Sequence, residues 1–176
     1  LGLMGHALNS MYDMHADPTA VSAAFNLHIP LLEPEELLGL FNEVTDEEIK
    51  AKSEIMKERF DMPDPKSDPI TMKLTDEDLF MAAKTAAALD KFVEKNELTG
   101  LAYYCDSVDG SPIRELTSSL ILGNSLLLEK GFPMCGEFDI KTCIAMLIMD
   151  RLGIGGSFAE LHPFDFDNDC ILIGHD

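Results

Sequence analysis

Basic residues are scarce in this chain: Lys and Arg number 13 against 32 Asp and Glu, for a formal net charge of −19. Proteins that bind nucleic acid need clustered Lys and Arg to displace counterions from phosphates, so this balance argues against a nucleic-acid partner. The same shortage argues against attraction to an anionic membrane surface. No apolar run reaches the roughly 18 residues that a membrane-crossing helix requires. The opening residues hold no basic-then-apolar leader. The cysteines are few and far apart (Cys105, Cys135, Cys143, Cys170), with no Cys-x-x-Cys pair. That pattern fits reduced, buried thiols in a cytoplasmic protein better than a disulfide framework or a zinc ribbon. Internal repeats and low-complexity tracts are also absent.

What is present is enough for a real core. The chain has 176 residues, 46% of them hydrophobic, which is the size and composition of one globular domain. Its acids gather in 33–64 and 75–97, where they fall on helix faces and favour solubility. Leu1 to Gly5 reads as a short strand, followed by a polar stretch to Asp17. Asp17-Pro18 opens a helix, with Asp at the cap and Pro in the first turn. His28 to Leu32 reads as a second strand, and Glu33-Pro34-Glu35-Glu36 starts another helix. Thr45-Asp46-Glu47-Glu48 is a capping box. Residues 61–74, with Pro63, Pro65 and Pro69, read as a surface loop. A long helix runs from Thr75 to about Asn96, with an alanine-rich centre suited to close packing against a sheet.

Leu98 to Cys105 reads as an apolar and aromatic strand. Residues 116–130 read as one helix capped by Gly131, and Phe132 to Gly136 as a buried strand. Glu137 to Leu152 is predicted helical, closed by Gly153. Strand and helix thus alternate to about residue 153, which predicts an α/β fold: a three-layer, Rossmann-like parallel sheet with helices on both faces. The tail breaks that rhythm. Residues 156–166 and 170–175 read as two successive strands around Asp167-Asn168-Asp169. They are expected to open a second, β-rich domain, dividing the chain into 1–153 and 154–176. Leu1 in place of an initiator methionine, and an end one residue past His175, lead to the expectation of a piece of a longer protein.

Three ligand-type residues fall in the last quarter: Glu137, Glu160 and His175. Each has an ordinary explanation. Glu137 sits where an acid complements a helix dipole. Glu160 lies in a strand near Phe158, where an edge or exposed face accommodates it. His175 closes an apolar strand, a common place for a satisfied or exposed histidine. His162 and His15 have the same ordinary reading, and His6 and His28 read as structural or exposed. Taken together, two carboxylates and an imidazole suit a divalent metal of the manganese type, and carboxylates also suit proton transfer.

The order of these segments resembles a known family. Gly136-Glu137-Phe138-Asp139-Ile140-Lys141-Thr142 resembles the GEGDxKT segment of bacterial L-arabinose isomerases. Gly155-Gly156-Ser157-Phe158-Ala159-Glu160 resembles their GGxSFxE stretch, and Ile173-Gly174-His175 their third ligand segment. Leu1 to Asp17 is more loosely similar to the opening of the family's middle domain. L-fucose isomerase is a more distant member of the same superfamily. Two departures stand out: Phe138 replaces the usual glycine, and His162-Pro163-Phe164 differs from the best-known members. Both bear on the sugar pocket.

The resemblance implies a metal-dependent aldose–ketose isomerase acting on a pentose or 6-deoxyhexose. Glu137 and Glu160 would be the proton-transfer pair, working through an enediol(ate). Glu137, Glu160 and His175 would be Mn²⁺ ligands, with a fourth ligand, a later histidine, outside this chain. It also implies a homo-oligomer, in the family a hexamer, and little or no activity for residues 1–176 alone. The alternatives from other classes are a sugar-binding or regulatory domain without catalysis, and a different Mn²⁺ enzyme acting on a polyol or sugar acid.

Overall fold

The computed structural model describes residues 1–61, 64, 66, 67 and 74–175. The proline-rich stretch read as a loop places Pro63, Pro65 and Pro69 outside those residues. In chain order the elements are β1 (Gly2–Gly5), α1 (Pro18–Phe25), β2 (Leu31–Leu32), α2 (Pro34–Asn42), α3 (Asp46–Arg59) and α4 (Asp76–Lys95). There follow β3 (Leu101–Tyr104), α5 (Pro112–Ser118), α6 (Ile121–Glu129), β4 (Met134–Cys135), α7 (Ile140–Arg151), β5 (Glu160–Asp165) and β6 (Cys170–Gly174).

The first four strands form one parallel sheet in the order β2-β1-β3-β4. Side-chain alternation divides its buried residues between two cores. Met4, Leu101 and Met134 face a larger core shared with α2 to α6, whereas Leu3, Ala102 and Cys135 face a smaller one shared with α1 and α7. Strands buried on both faces have no polar face, which is why Leu1 to Met4 is apolar throughout except for Gly2. The predicted α/β layering is therefore observed. β1 lies between β2 and β3, so the sheet is built outwards in both directions from β1. A constant crossover hand then puts α1 on one face and α2 to α6 on the other, as found.

Local chemistry sets the helix starts. Asp17 accepts from the Thr19 and Ala20 amides at the head of α1. Complete capping boxes open α3 (Thr45 with Glu48) and α4 (Thr75 with Asp78). In α4, Ala83, Ala88, Leu89 and Phe92 are buried in the larger core. It packs chiefly against the helices α2, α3 and α6 rather than directly on the sheet. A Cβ on Gly123 of α6 would lie 3.1 Å from the Ala86 Cα, so glycine and alanine let the two backbones close up.

The predicted single helix over 116–130 is two. Thr117, Ser118 and Ser119 return their hydroxyls to carbonyls three or four residues back, and the chain breaks into α5 and α6. The strands at His28, Leu98 and Phe132 are shorter than predicted, since pairing in this small sheet holds only two to four residues of each.

β5 and β6 form a separate antiparallel hairpin, with Glu160 opposite Gly174 and Leu161 opposite Ile173. Leu161, Phe164, Phe166, Leu172 and Ile173 of the hairpin are exposed. Cys170 is exposed too, unlike the buried Cys135 and Cys143, which corrects the expectation that all four thiols lie inside.

Thr45→Ala is expected to cost about 1 kcal/mol, a fall of about 2–4 °C in Tm, because it removes the hydroxyl that accepts the Glu48 amide at the head of α3. Hydrogen bonds from Lys91 and from the Thr45 amide hold the Glu48 carboxyl below its usual value. A carboxyl whose folded-state pKa is depressed stabilises the fold above its unfolded-state pKa and loses that effect as pH falls. The gap between wild type and Glu48→Gln, which removes the carboxylate that these bonds favour, should therefore narrow as pH drops through about 4. Thermal melts at stepped pH check this, and a constant gap would contradict it.

Candidate functional site

In an open parallel sheet, the strands' carboxyl ends and the loops that follow them form the usual ligand edge. Here β1 and β3 end almost in contact. A Cβ on Gly5 would lie 2.0 Å from the Tyr104 carbonyl oxygen, and Gly5 has φ +86°, so only glycine fits. Beside this edge, between β3, α5 and the turn after β4, lies an open groove of about 380 Å³. Tyr103, Tyr104, Cys105 and Arg114 line one side, with Glu137 and His175 on another.

Glu137 is not in a helix, as the sequence suggested. Glu137 and Phe138 both adopt left-handed backbone, with φ of 57° and 62°. Asp139 is the cap of α7, its carboxylate accepting from the Lys141 and Thr142 amides and the Thr142 hydroxyl. A helix begins where its best cap stands, and Asp139 outcompetes Glu137 for that role. Glu137 is thus a turn residue, and complementation of the helix dipole from the first turn does not account for it. Two successive left-handed non-glycine residues cost about 1 kcal/mol each, and such strain collects at functional sites. The turn is tied to the sheet by the Phe138 amide, which donates to the Tyr103 carbonyl at 3.0 Å. The Lys141 ammonium reaches the Asp13 carbonyl, bringing the polar loop after β1 alongside.

The hairpin delivers the other two residues. Glu160 is the first residue of β5 and His175 follows β6, so pairing of Glu160 with Gly174 sets them side by side. Phe158, two residues before Glu160, packs against the smaller core. Its ring lies 4.7 Å from the His175 ring, centre to centre. One donor atom from each of Glu137, Glu160 and His175 lies within 4.8 Å of the other two. The sequence-predicted trio, from three separate segments, is gathered at one point.

The electrostatics are those of a site short of positive charge. Burial and then the Glu160 charge push the Glu137 carboxyl above its usual value, against a smaller opposing effect of His175. Glu137 Oε2 is buried and has no hydrogen-bond partner among the described residues. A buried carboxylate oxygen without a partner is costly unless a cation or proton joins it. Arg114 does not serve: it pairs with Asp106 at 2.6 Å and Asp109 at 3.1 Å.

Three other histidines face backbone carbonyls. His162 meets the Gly174 carbonyl at 3.1 Å, His15 that of Leu8 at 3.2 Å, and His6 that of Ala7 at 3.1 Å. Cys105 borders the groove, but burial pushes its thiol up to about 12, so it is no nucleophile at neutral pH. The groove wall of Tyr103, Tyr104 and Arg114 is absent from the sequence reading. Its signal is positional: two tyrosines at the carboxyl end of a parallel strand, then a polar loop.

Residues 5–155 match the model of the L-arabinose isomerase central domain. No curated protein sequence matches the chain. The match spans most of the chain, which therefore belongs to the L-arabinose isomerase family through its central domain.

If Glu137 is held at a cost to the fold, its neutral isostere should relieve it. In chelator at neutral pH, Glu137→Gln is expected to raise stability by about 1 kcal/mol, or about 2–4 °C in Tm. A lower Tm for the variant would show that the carboxylate is structurally satisfied.

Proposed function

We propose that this member of the L-arabinose isomerase family serves aldose–ketose interconversion of a neutral sugar, with Glu137 and Glu160 as the proton-transfer pair and Glu137, Glu160 and His175 as ligands of a divalent cation such as Mn²⁺. One observation carries the proposal: two carboxylates and an imidazole converge within 4.8 Å, and one carboxylate oxygen is buried without a partner. That donor set fits a hard or borderline divalent ion, and the orphaned oxygen is where a positive charge would be most strongly stabilised. When bound, such an ion polarises a carbonyl and stabilises negative charge developing on neighbouring oxygens.

The chain's own residues account for the rest. Moving a hydrogen between C1 and C2 of a sugar needs one group to take a carbon-bound proton and another to serve the oxygens. Glu137 and Glu160 are close enough to act on adjacent atoms of one substrate. They also differ in setting, Glu137 partly buried and Glu160 exposed, as befits two carboxyls with separate tasks. The adjoining groove gives a polyhydroxylated chain somewhere to lie. Its cation, Arg114, is neutralised by Asp106 and Asp109, and two further carboxylates face the site. An anionic sugar would be repelled, so the groove suits a neutral pentose or 6-deoxyhexose better than a sugar phosphate or sugar acid.

The same reading treats 1–153 as the α/β domain and 154–176 as the start of a β-rich one, supported by the separate sheets. It carries with it the expectations of a homo-oligomer and a cytoplasmic setting. Among the described residues, no helix is long and apolar enough to cross a membrane.

The test is the intact protein with Mn²⁺ against a panel of pentoses, 6-deoxyhexoses and their ketoses. Glu137→Gln and Glu160→Gln should each lower kcat by about 10²–10⁴-fold. His175→Ala should weaken Mn²⁺ binding by more than the roughly 10–100-fold typical of outer partners. Sugar binding without ketose formation, unchanged in both glutamate variants, would favour a non-catalytic sugar-binding domain and sink the isomerase reading.

A further inference from the structure

Glu137 sits on the α/β unit, whereas Glu160 and His175 come from a hairpin whose strands pair only with each other. Something must fix the hairpin's registration against the sheet to within fractions of an ångström, since ligating groups tolerate little displacement. We infer that Phe158, seated against Gly136, is the positioning residue that sets His175 beside Glu137. This rests on the metal-site reading above and deepens it.

The contact runs through three consecutive surfaces. Gly136, directly before Glu137, has no side chain, and the space a Cβ would take is closed by the Phe158 ring, its Cε1 lying 3.1 Å from that point. Gly136 is not in the left-handed region, so alanine is conformationally allowed there and the glycine is needed for this ring alone. The ring also packs against the smaller core, to which α7 contributes Ile140, Cys143 and Ile144. It then meets the His175 imidazole at 4.7 Å, with the planes 39° apart. Aromatic rings at this separation attract beyond simple area burial. One side chain thus touches the residue before one ligand and the ring of another. It lies two residues before the third, Glu160. Gly136 and Phe158 are therefore a matched pair, the absent side chain on one answering the ring on the other.

The experiment uses the intact protein and Mn²⁺ alone, with calorimetry for affinity and NMR of the metal-free state for ring geometry. Phe158→Leu keeps apolar bulk but loses the ring, and should weaken Mn²⁺ binding about 10–100-fold. Phe158→Tyr keeps the ring and should stay within about threefold of wild type. The His175 ring protons should lie upfield in wild type and move downfield in Phe158→Leu, a signature that mere loss of stability does not produce. Gly136→Ala should weaken binding in the wild-type background and add less than about twofold in Phe158→Leu, because the two residues share one contact. The inference is overturned if Phe158→Leu binds Mn²⁺ as wild type does, or if Gly136→Ala costs the same in both backgrounds. If Glu137→Gln also leaves Mn²⁺ binding unchanged, the metal-site reading itself fails. If Glu137→Gln abolishes binding and Phe158→Leu does not, only the positioning role fails.

Discussion

A carboxylate removed from water must be paired, protonated or paid for by the rest of the fold, and Glu137 brings that constraint to the end of a parallel sheet. Much of the local architecture follows from it. β4 is only two residues long, and the chain leaves it through two left-handed residues before α7 can begin. Asp139 takes over the duty of capping α7, which leaves Glu137 free of any structural hydrogen bond through Oε2. Arg114, which lines the same groove, is occupied by two aspartates of the loop before α5. Each of these features removes a route by which the carboxylate could be quietly neutralised within the α/β unit.

The energetic logic then runs in the direction expected of a functional site. Interactions elsewhere are in agreement: boxed helix starts, strands apolar on both faces, helices closed up on glycine and alanine. At Glu137 the backbone is strained, the carboxyl is partly desolvated, and a second carboxylate is close by. Strain, desolvation and like charge meet in this one turn, and such turns are where binding energy is recovered.

The layered α/β fold and the trio were legible in the sequence because both rest on local or ordered signals. Apolar runs such as Leu1 to Met4 announce strands buried on both faces, and Thr45 with Glu48 announces a helix start from four residues. The order of three motif segments announced Glu137, Glu160 and His175. What stayed illegible depends on competition or on tertiary approach. Residue type does not reveal that Asp139 defeats Glu137 as the α7 cap, since both are acids near a predicted start. The break at Ser119 needs the knowledge that three neighbouring hydroxyls turn back on the helix. The groove of Tyr103, Tyr104 and Arg114 exists only because α5 packs where it does.

The division of the trio between two sheets has a consequence that a site within one sheet would lack. On the proposed reading the α/β unit contributes a single ligand, on a strained turn, and the hairpin contributes two that are themselves exposed. Neither half is a competent metal site alone, because one carboxylate or one carboxylate–imidazole pair leaves too few donors. The proposed ligand set is therefore completed only when the hairpin is docked, and the contact seen between hairpin and core at this point is the apolar one of Phe158. Glu137 and Glu160 repel, and His175 offsets this only in part, so electrostatics alone does not hold the halves together in the absence of a cation. Apolar packing that assembles mutually repelling ligands leaves the site preorganised for positive charge, and the repulsion between Glu137 and Glu160 becomes part of what a bound cation relieves.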